Sequence, residues 1–364
     1  MSPNKATAGT RCTSDQREAW IDWIRAVGSV GIVALHVTTR EKVRRAADIP
    51  DFDWWTLTTY ETMARIAVPV FFMVSGYLCI RRCVKTEGPS YAWRRTTRIL
   101  GIVVFWTVIF SLWTMLRGGN AGPIRFLVDA FQGKPYFHLW FLWALAGIYF
   151  VSPLLAPGLS LLGSRQKLVC GWLLPILVSF DYAIFCQSGQ SSFFRNSVVS
   201  IGLPYLAYSC SGYLLGVGVK QCWTRCWFAI YLVCFATCLW AYSFLLNQEA
   251  PVLERVALAD KWVFVPFAFP ICMMSISSFL LVAKSPFIAN QRMPRIVARF
   301  ARDSMGIYIL HPFVLDTANY FDLLGRRPNA MLGIVVVTIV VTLGSWAATV
   351  VMTRIPLLKN TVAI

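Results

Sequence analysis

The chain alternates between long apolar segments and shorter polar ones. Windows of about 20 apolar residues, the length that crosses a bilayer as a helix, recur along its 364 residues. Ten spans are predicted, at 20–38, 58–80, 97–116, 138–156, 167–186, 198–219, 227–246, 262–283, 303–324 and 330–352. The pattern predicts an all-α fold: a polytopic membrane helix bundle of about ten transmembrane helices over 20–352, with tails at 1–19 and 353–364.

Composition supports the same class. Hydrophobic residues make up 57% of the chain and charged residues 14%, whereas a soluble domain carries roughly 25% charged residues. The longest polar stretches are too short to form a separate soluble domain. The sequence therefore excludes an ordinary soluble enzyme.

Basic residues predict the orientation, because cytoplasmic loops carry an excess of Lys and Arg. The two segments richest in Lys and Arg, 81–98 and 284–302, both lie on the cytoplasmic side if the N-terminus and the C-terminus are cytoplasmic. Residues 40–45 (REKVRR) argue the other way, since they would lie outside. The net charge of +17 is then a topology signal with attraction to anionic membrane lipid, and no nucleic-acid partner is predicted.

The 11 cysteines include no CxxC pair. Cys79 and Cys83 are spaced by four residues, as are Cys222 and Cys226, which suits a shared helix face. A zinc site needs a fuller ligand set. We therefore expect small packing residues, and neither a disulfide framework nor a metal site.

The chain contains three histidines, and each lies in an apolar, aromatic-rich segment: His36, His138 and His311. Histidine is the usual proton carrier near neutral pH, and an ionisable group inside a membrane span indicates a functional site by default. The alternative for any one of them is a polar group satisfied within the bundle. Because all three histidines lie in such surroundings, a catalytic role is favoured over a purely structural one.

The first span carries a polar stripe. Asp22, Arg25, Ser29 and His36 share one face at 3.6 residues per turn, and Arg25 and His36 lie roughly 16 Å apart along the axis, too far to touch. Such a stripe must line a cavity or the bundle interior. The alternative is an Asp22–Arg25 pair that only anchors a helix end.

The second span begins with Glu61 and Arg65, whose spacing favours an ion pair. Pro69 and the pair Ser75-Gly76 permit a break in the helix. Backbone amides freed there are able to bind anions. The alternative, a bend with a packing glycine, is slightly favoured on spacing alone.

A basic cluster opens the third span. Arg94, Arg95 and Arg98 follow Tyr91 at helical spacing. Arginine suits phosphate recognition, although the positive-inside rule explains such clusters equally well.

An aromatic residue follows His138, and an acidic residue follows His311. Trp140 follows His138 and suits either an interfacial aromatic belt or a sugar ring. Asp316 lies five residues after His311, a spacing poorly suited to direct pairing.

These motifs resemble those of the integral-membrane acyltransferase 3 family. Arg25 and His36 within WIDWIRAVGSVGIVALHV resemble its first-helix signature, and Arg65 with FFMVSGYL its second-helix motif. YAWRRTTRIL, HLWFLWALAGIYFVSPLL and SMGIYILHP resemble three later motifs, in family order. One departure is Asp22-Trp23-Ile24, where Asp-x-Leu is common.

The resemblance implies transfer of an acyl group, commonly acetyl from acetyl-CoA, to a carbohydrate hydroxyl. Arg25 and His36 would be the essential pair. The expected donor-binding residues are Arg94, Arg95, Arg98, Arg65, Ser75 and Gly76, and the expected acceptor or relay residues are His138, Trp140 and His311. Acetyl-CoA would dock from the cytoplasm, and His36 would act as general base or transient acyl carrier.

The subgroup that the chain resembles most modifies exopolysaccharide or O-antigen units, including xanthan-type acetyltransferases. This implies a multi-pass protein of the bacterial inner membrane. Its partners would be membrane lipid, a lipid-linked oligosaccharide or polysaccharide acceptor, and other polysaccharide-assembly proteins. Two further classes fit ten spans: a polyprenyl-sugar flippase or proton-coupled transporter, and a scaffold in an envelope assembly complex.

Overall fold

The computed structural model describes residues 18–45, 51–85, 88–117, 136–188, 198–219, 223–289, 293–320 and 330–362. Regular structure in these ranges is helical. The helices are α1 Ala19–Arg44, α2 Phe52–Ala64, α3 Ala67–Lys85, α4 Gly88–Leu116, α5 Trp140–Leu161, α6 Ser164–Ser188, α7 Val198–Gly218, α8 Thr224–Leu246, α9 Val252–Val263, α10 Phe269–Ala283, α11 Pro286–Ala289, α12 Arg295–Arg302, α13 Ser304–Tyr320 and α14 Ala330–Arg354, with a 3₁₀ turn at Lys359–Thr361.

Seven helices in the described ranges are long and apolar enough to cross a membrane. They are Ala19–Arg44, Phe52–Lys85, Gly88–Leu116, Trp140–Leu161, Ser164–Gln187, Thr224–Leu246 and Met331–Arg354. The other three predicted spans coincide with α7, with the shorter apolar α10 and with α13; residues 321–324 of the last lie outside the described residues. The predicted all-α membrane bundle is confirmed.

The break that Pro69 and Ser75-Gly76 would permit in the second span is not at either position. α2 ends at Ala64 and α3 runs without interruption from Ala67 to Lys85, so residues 65–66 separate the two helices. Pro69 lies in the first turn of α3, where its missing N–H and fixed φ are compatible with a helix. The Ser75-Gly76 pair lies within the continuous part of α3. Of the two alternatives left open for this segment, a break at Pro69 or Ser75-Gly76 is not found within α3.

The two SGYL segments, 75–78 and 211–214, form a close crossing of α3 and α7. A Cβ atom built on Gly76 would lie 2.1 Å from the carbonyl oxygen of Ser209. One built on Gly212 would lie 2.0 Å from the carbonyl oxygen of Met73. Small residues allow such backbone approach between membrane helices, so each glycine makes room for the other helix.

The basic run at 40–45, which argued against the predicted orientation, is tied into the fold by ion pairs. α1 continues through Arg44, and Arg40, Lys42 and Arg45 all contact carboxylates of the bundle. The partners are Asp316 for Arg40, Glu61 and Asp260 for Lys42, and Glu41 and Asp53 for Arg45. These cations are therefore neutralised within the structure and say little about orientation.

Cysteines contribute to packing. The nine cysteines in the described ranges are free, and Cys79, Cys210, Cys238 and Cys272 are buried among apolar side chains. The same ranges contain no group of three or more His, Cys, Asp or Glu side chains able to hold a metal ion.

Candidate active site

The three histidines, far apart in the chain, converge inside the bundle. His36 comes from α1, His138 from the turn before α5, and His311 from α13. The ring centroids of His36 and His311 lie 5.1 Å apart, and those of His138 and His311 lie 5.5 Å apart. His138 and His311 are 2% and 0% exposed, whereas His36 is half-buried. We call these three residues the histidine cluster.

The hydrogen bonds of the cluster leave ring nitrogens available. Nδ1 of His311 lies 2.6 Å from the backbone oxygen of Tyr308. Because a carbonyl oxygen only accepts, this contact places a proton on Nδ1. Nε2 of His311 and both ring nitrogens of His138 are buried and have no hydrogen-bond partner among the described residues. Buried polar atoms are normally satisfied, so these nitrogens indicate a site for proton transfer or for a bound polar group.

Aromatic side chains enclose the histidine cluster. Phe110 contacts His138 edge to face, with the ring centroids 4.9 Å apart, and Tyr308 lies 5.3 Å from the same ring. Phe137, which is 44% exposed, contacts His36 at 4.9 Å. Aromatic rings therefore enclose the inner side of the cluster, and the partly exposed Phe137 lies between His36 and the surface. In this arrangement the aromatic ring of Phe137 lies beside the imidazole of His36, a candidate proton acceptor.

A cavity of about 480 Å³ lies at the other end of α1. This volume falls within the roughly 300–1,000 Å³ typical of small-molecule sites. Its cationic lining side chains are Arg25, Arg81, Arg82, Lys85, Arg95 and Arg302, and its acidic ones are Glu18 and Asp22. An excess of four cations, mostly guanidinium groups, suits a polyanion such as a phosphorylated nucleotide. We call this space the basic cavity.

The deep end of the basic cavity is apolar and stops short of the histidine cluster. Ile32, Phe71, Phe141 and Tyr308 line it, and none of the three histidines does. His36 is one helical turn beyond Ile32 on α1. The sequence analysis expected the stripe from Arg25 to His36 to line a cavity or the bundle interior; the basic cavity is lined by Arg25 and Ile32 but not by His36.

Tyr308 connects the two regions. Its ring lines the basic cavity, its hydroxyl donates to the backbone oxygen of His138, and its own backbone oxygen lies against Nδ1 of His311. The sequence analysis did not select this residue, although it precedes His311 by three positions in GIYILHP, a spacing that shares a helix face.

The predicted donor-binding residues separate into two groups. Ser75 and Arg95 line the basic cavity, together with Arg25, which was predicted as one of the essential pair. Arg94 and Arg98 have exposed side chains outside that lining, because a helix turns them away from the face that carries Arg95.

The remaining predicted residues lie in other environments. Gly76 faces the backbone of α7. Arg65 forms an ion pair with Glu61, as predicted, and its guanidinium lies 5.5 Å from the centroid of Phe264. Trp140 packs on Tyr205 at 5.0 Å, within the core rather than beside a histidine.

Several cavity residues were not selected from the sequence. Arg302 belongs to the basic segment 284–302, whose density was attributed to topology. Glu18 accepts hydrogen bonds from Trp20, at 2.7 Å, and from Tyr77 and Arg81. Glu18 precedes the first span, and no pattern in the sequence distinguishes it from an ordinary polar residue of a loop.

Comparison with known proteins supports a catalytic role for this bundle. Residues 18–350 match a family model described as an acyltransferase domain, so the match includes both the basic cavity and the histidine cluster. No curated protein and no solved structure matches the chain.

Proposed function

The chain belongs to the acyltransferase 3 family of membrane proteins, and on that premise we propose that it transfers an acetyl group from cytoplasmic acetyl-CoA to a sugar hydroxyl. The acceptor in this proposal is an exopolysaccharide or a lipid-linked oligosaccharide. The protein would act in the bacterial inner membrane with both termini in the cytoplasm. Membrane lipid and other polysaccharide-assembly proteins would be its partners.

One observation carries the proposal: a cation-lined cavity and a buried histidine cluster lie along the same helix and share Tyr308. Acetyl-CoA is a polyanion at one end and a slender thioester arm at the other. The cavity offers Arg25, Arg81 and Arg95 to phosphates, and an apolar deep end that points along α1 towards His36. Charge and shape therefore both fit this donor class.

His36 is the proposed general base, because it is the half-buried member of the histidine cluster. It accepts the proton of the sugar hydroxyl while the hydroxyl oxygen bonds to the acetyl carbon and the carbon–sulfur bond breaks. The proton then passes to the departing sulfur. His138 and His311 are proposed to relay it, since the centroids of their rings lie 5.5 Å apart and the buried Nε2 of His311 and both ring nitrogens of His138 have no hydrogen-bond partner among the described residues.

The side chains between the basic cavity and His36 must move for this reaction. Ile32, Phe71 and Tyr308 line the end of the cavity that lies nearest to His36 along α1. Phe71 is partly buried and packs over Gly28, where an added Cβ would lie 2.6 Å from its ring. A rotation of Phe71 would open the path, and closing it around the thioester arm would exclude water.

The test is donor consumption by the purified protein in lipid nanodiscs. Labelled acetyl-CoA is incubated with lipid-linked oligosaccharide, and both free CoA and labelled sugar are measured, with Arg165→Gln as a control for a solvent-exposed cation outside the cavity. Equal amounts of CoA and O-acetyl sugar, formed only when acceptor is present, would support the proposal. No donor turnover, together with movement of intact oligosaccharide between leaflets, would instead support a transporter.

A further inference from the structure

A second polar network lies directly beyond the histidine cluster, on the side away from the basic cavity. The side chain of Asp316 is 2% exposed. Its Oδ1 accepts from Arg40, and its Oδ2 accepts from Tyr136 at 2.7 Å, Arg117 at 2.9 Å and Trp113 at 3.3 Å. An ionised carboxylate has about four lone-pair sites, and four donors converge on this one, three of them on Oδ2. We call Asp316 and its four donors the Asp316 clasp.

The clasp joins the same segments that carry the histidines. Arg40 follows His36 on α1 by four residues, and Asp316 follows His311 on α13 by five. Tyr136 precedes His138 by two residues in the turn before α5. Each histidine therefore lies within five residues either of Asp316 itself or of a residue that donates a hydrogen bond to it.

Asp316 accepts its hydrogen bonds from these four side chains and not from a histidine. Asp316 is therefore not an acid that orients one imidazole by a direct bond, as in a catalytic triad. Its effect on the histidines must pass through the backbone of the three segments it ties together.

We propose that Asp316 is a positioning residue that holds His36, His138 and His311 in contact by fixing α1, α13 and the turn before α5 to one carboxylate. This inference rests on the proposed function for its effect on turnover. Residues that hold the segments carrying catalytic side chains determine whether a site keeps the geometry that catalysis needs, and a displacement of about 1 Å can cost roughly 100-fold in rate.

Tyr136 supports the role because its hydroxyl remains a donor. Burial and the hydrogen bond to Asp316 raise the pKa of the Tyr136 phenol above its ordinary value. The phenol therefore stays protonated over the physiological range, and its bond to the carboxylate persists.

The chain supplies a matched control for this clasp. Arg44 lies one turn beyond Arg40 on α1 and donates to Asn319 of α13 at 2.8 Å. This exposed contact also joins α1 to α13, but it does not reach Asp316. Removing it tests whether any link between the two helices has the same effect.

The first experiment compares Asp316→Asn, Tyr136→Phe and Arg44→Gln by steady-state kinetics in nanodiscs. We expect Asp316→Asn to lower kcat roughly 10- to 100-fold and Tyr136→Phe to lower it less. KM for acetyl-CoA should stay within about twofold of the native value in both, because none of the Asp316 clasp lines the basic cavity. Arg44→Gln should leave both constants unchanged.

The second readout does not depend on activity. The chain has three histidines, so protein labelled with ¹⁵N-histidine and purified without a histidine tag gives three imidazole spin systems. Asp316→Asn should move the signals of all three, Tyr136→Phe should move at least that of His138, and Arg44→Gln should move none. If Asp316→Asn does not accumulate, Tyr136→Phe decides by the same two measurements.

Two results would overturn the inference: native kcat with unmoved histidine signals in the variants, or identical changes in Arg44→Gln. A native protein that fails to acetylate any sugar would overturn the proposed function instead. The histidine spectra would then still decide whether Asp316 positions the cluster.

Discussion

The imidazole rings of His36 and His311 stack with an interplanar angle of 20° and a centroid distance of 5.1 Å, although they lie near opposite ends of the chain. Two cations stacked in this way in a buried site would repel each other strongly. At most one of the two rings is therefore a doubly protonated imidazolium cation at a time. Such a pair can hold and pass a single proton, which is what a general base with a relay requires.

The first prediction concerns His36. His36→Gln, which keeps a polar side chain of similar size, should lower kcat for sugar acetylation about 10²- to 10⁴-fold, the usual contribution of general-base catalysis. KM for acetyl-CoA should change little, because His36 does not line the basic cavity. Steady-state kinetics of the purified variant, normalised to folded protein, give both constants. Near-native kcat would remove His36 from the reaction.

The second prediction separates Arg95 from its neighbours. Arg95→Gln should raise KM for acetyl-CoA about tenfold, since a charge-assisted hydrogen bond contributes roughly 1.5–3 kcal/mol. Arg94→Gln and Arg98→Gln remove the same charge from side chains outside the cavity lining and should raise KM less than about threefold. Binding of CoA measured by calorimetry at two salt concentrations provides an independent check. Equal effects of all three substitutions would indicate a general surface potential rather than a site.

Helical periodicity predicted which polar residues of a span share one face, but not which residues of other helices that face contacts. Arg25, Ser29 and His36 were placed on one stripe, and the structure places Arg25 at the basic cavity and His36 in the histidine cluster. The convergence of His138 and His311 on His36 could not be derived, because the packing order of membrane helices depends on shape rather than on a local pattern.

The same limit explains the arginines and the helix break. Spacing placed Arg94, Arg95 and Arg98 on one short segment, but only the direction of α4 against its neighbours decides which of them reaches the cavity. The break beside Arg65 has no proline, and Pro69 lies where a helix tolerates it. Sequence rules identified the residue types that break helices, while packing of α2 and α3 determined where the chain turned.

The third prediction tests what Gly76 does. Gly76→Ala and Gly212→Ala each place a methyl group about 2 Å from a backbone oxygen of the opposite helix, so α3 and α7 must separate. Overpacking of this kind typically costs 1–3 kcal/mol, and we expect lower thermal stability and lower abundance for both variants. Gly147→Ala is the control, because its added Cβ meets no atom within 4 Å. A Gly76→Ala protein with native stability but a raised KM for acetyl-CoA would show that Gly76 serves donor binding.

The fourth prediction concerns the buried ion pair at the opposite end of the bundle from the basic cavity. Lys42 lies 2.8 Å from Glu61, with side chains 6% and 2% exposed, and Glu61 also binds Arg65. Glu61→Gln leaves two cations without their shared carboxylate, and removing one partner of a buried pair typically costs 3–5 kcal/mol. Lys42→Met should cost less, because Arg65 still neutralises Glu61 and the methionine can pack among Trp54, Tyr242 and Phe264, whose ring centroids lie 4.7–4.9 Å from Lys42 Nζ.

Equilibrium unfolding in mixed micelles measures this order, with Glu254→Gln as an exposed control. The stability of the Lys42→Met, Glu61→Gln double variant adds a sharper test. If Glu61 acts chiefly as counter-ion to Lys42, the double variant should be more stable than Glu61→Gln alone. The buried ammonium, left with only Asp260 at 3.5 Å as a counter-ion, is then gone, and Arg65, 21% exposed, can reach water. A double variant as unstable as the sum of the two single changes would show that the pair is not coupled. The aromatic residues, rather than the charges, would then hold α1, α2 and α8 together.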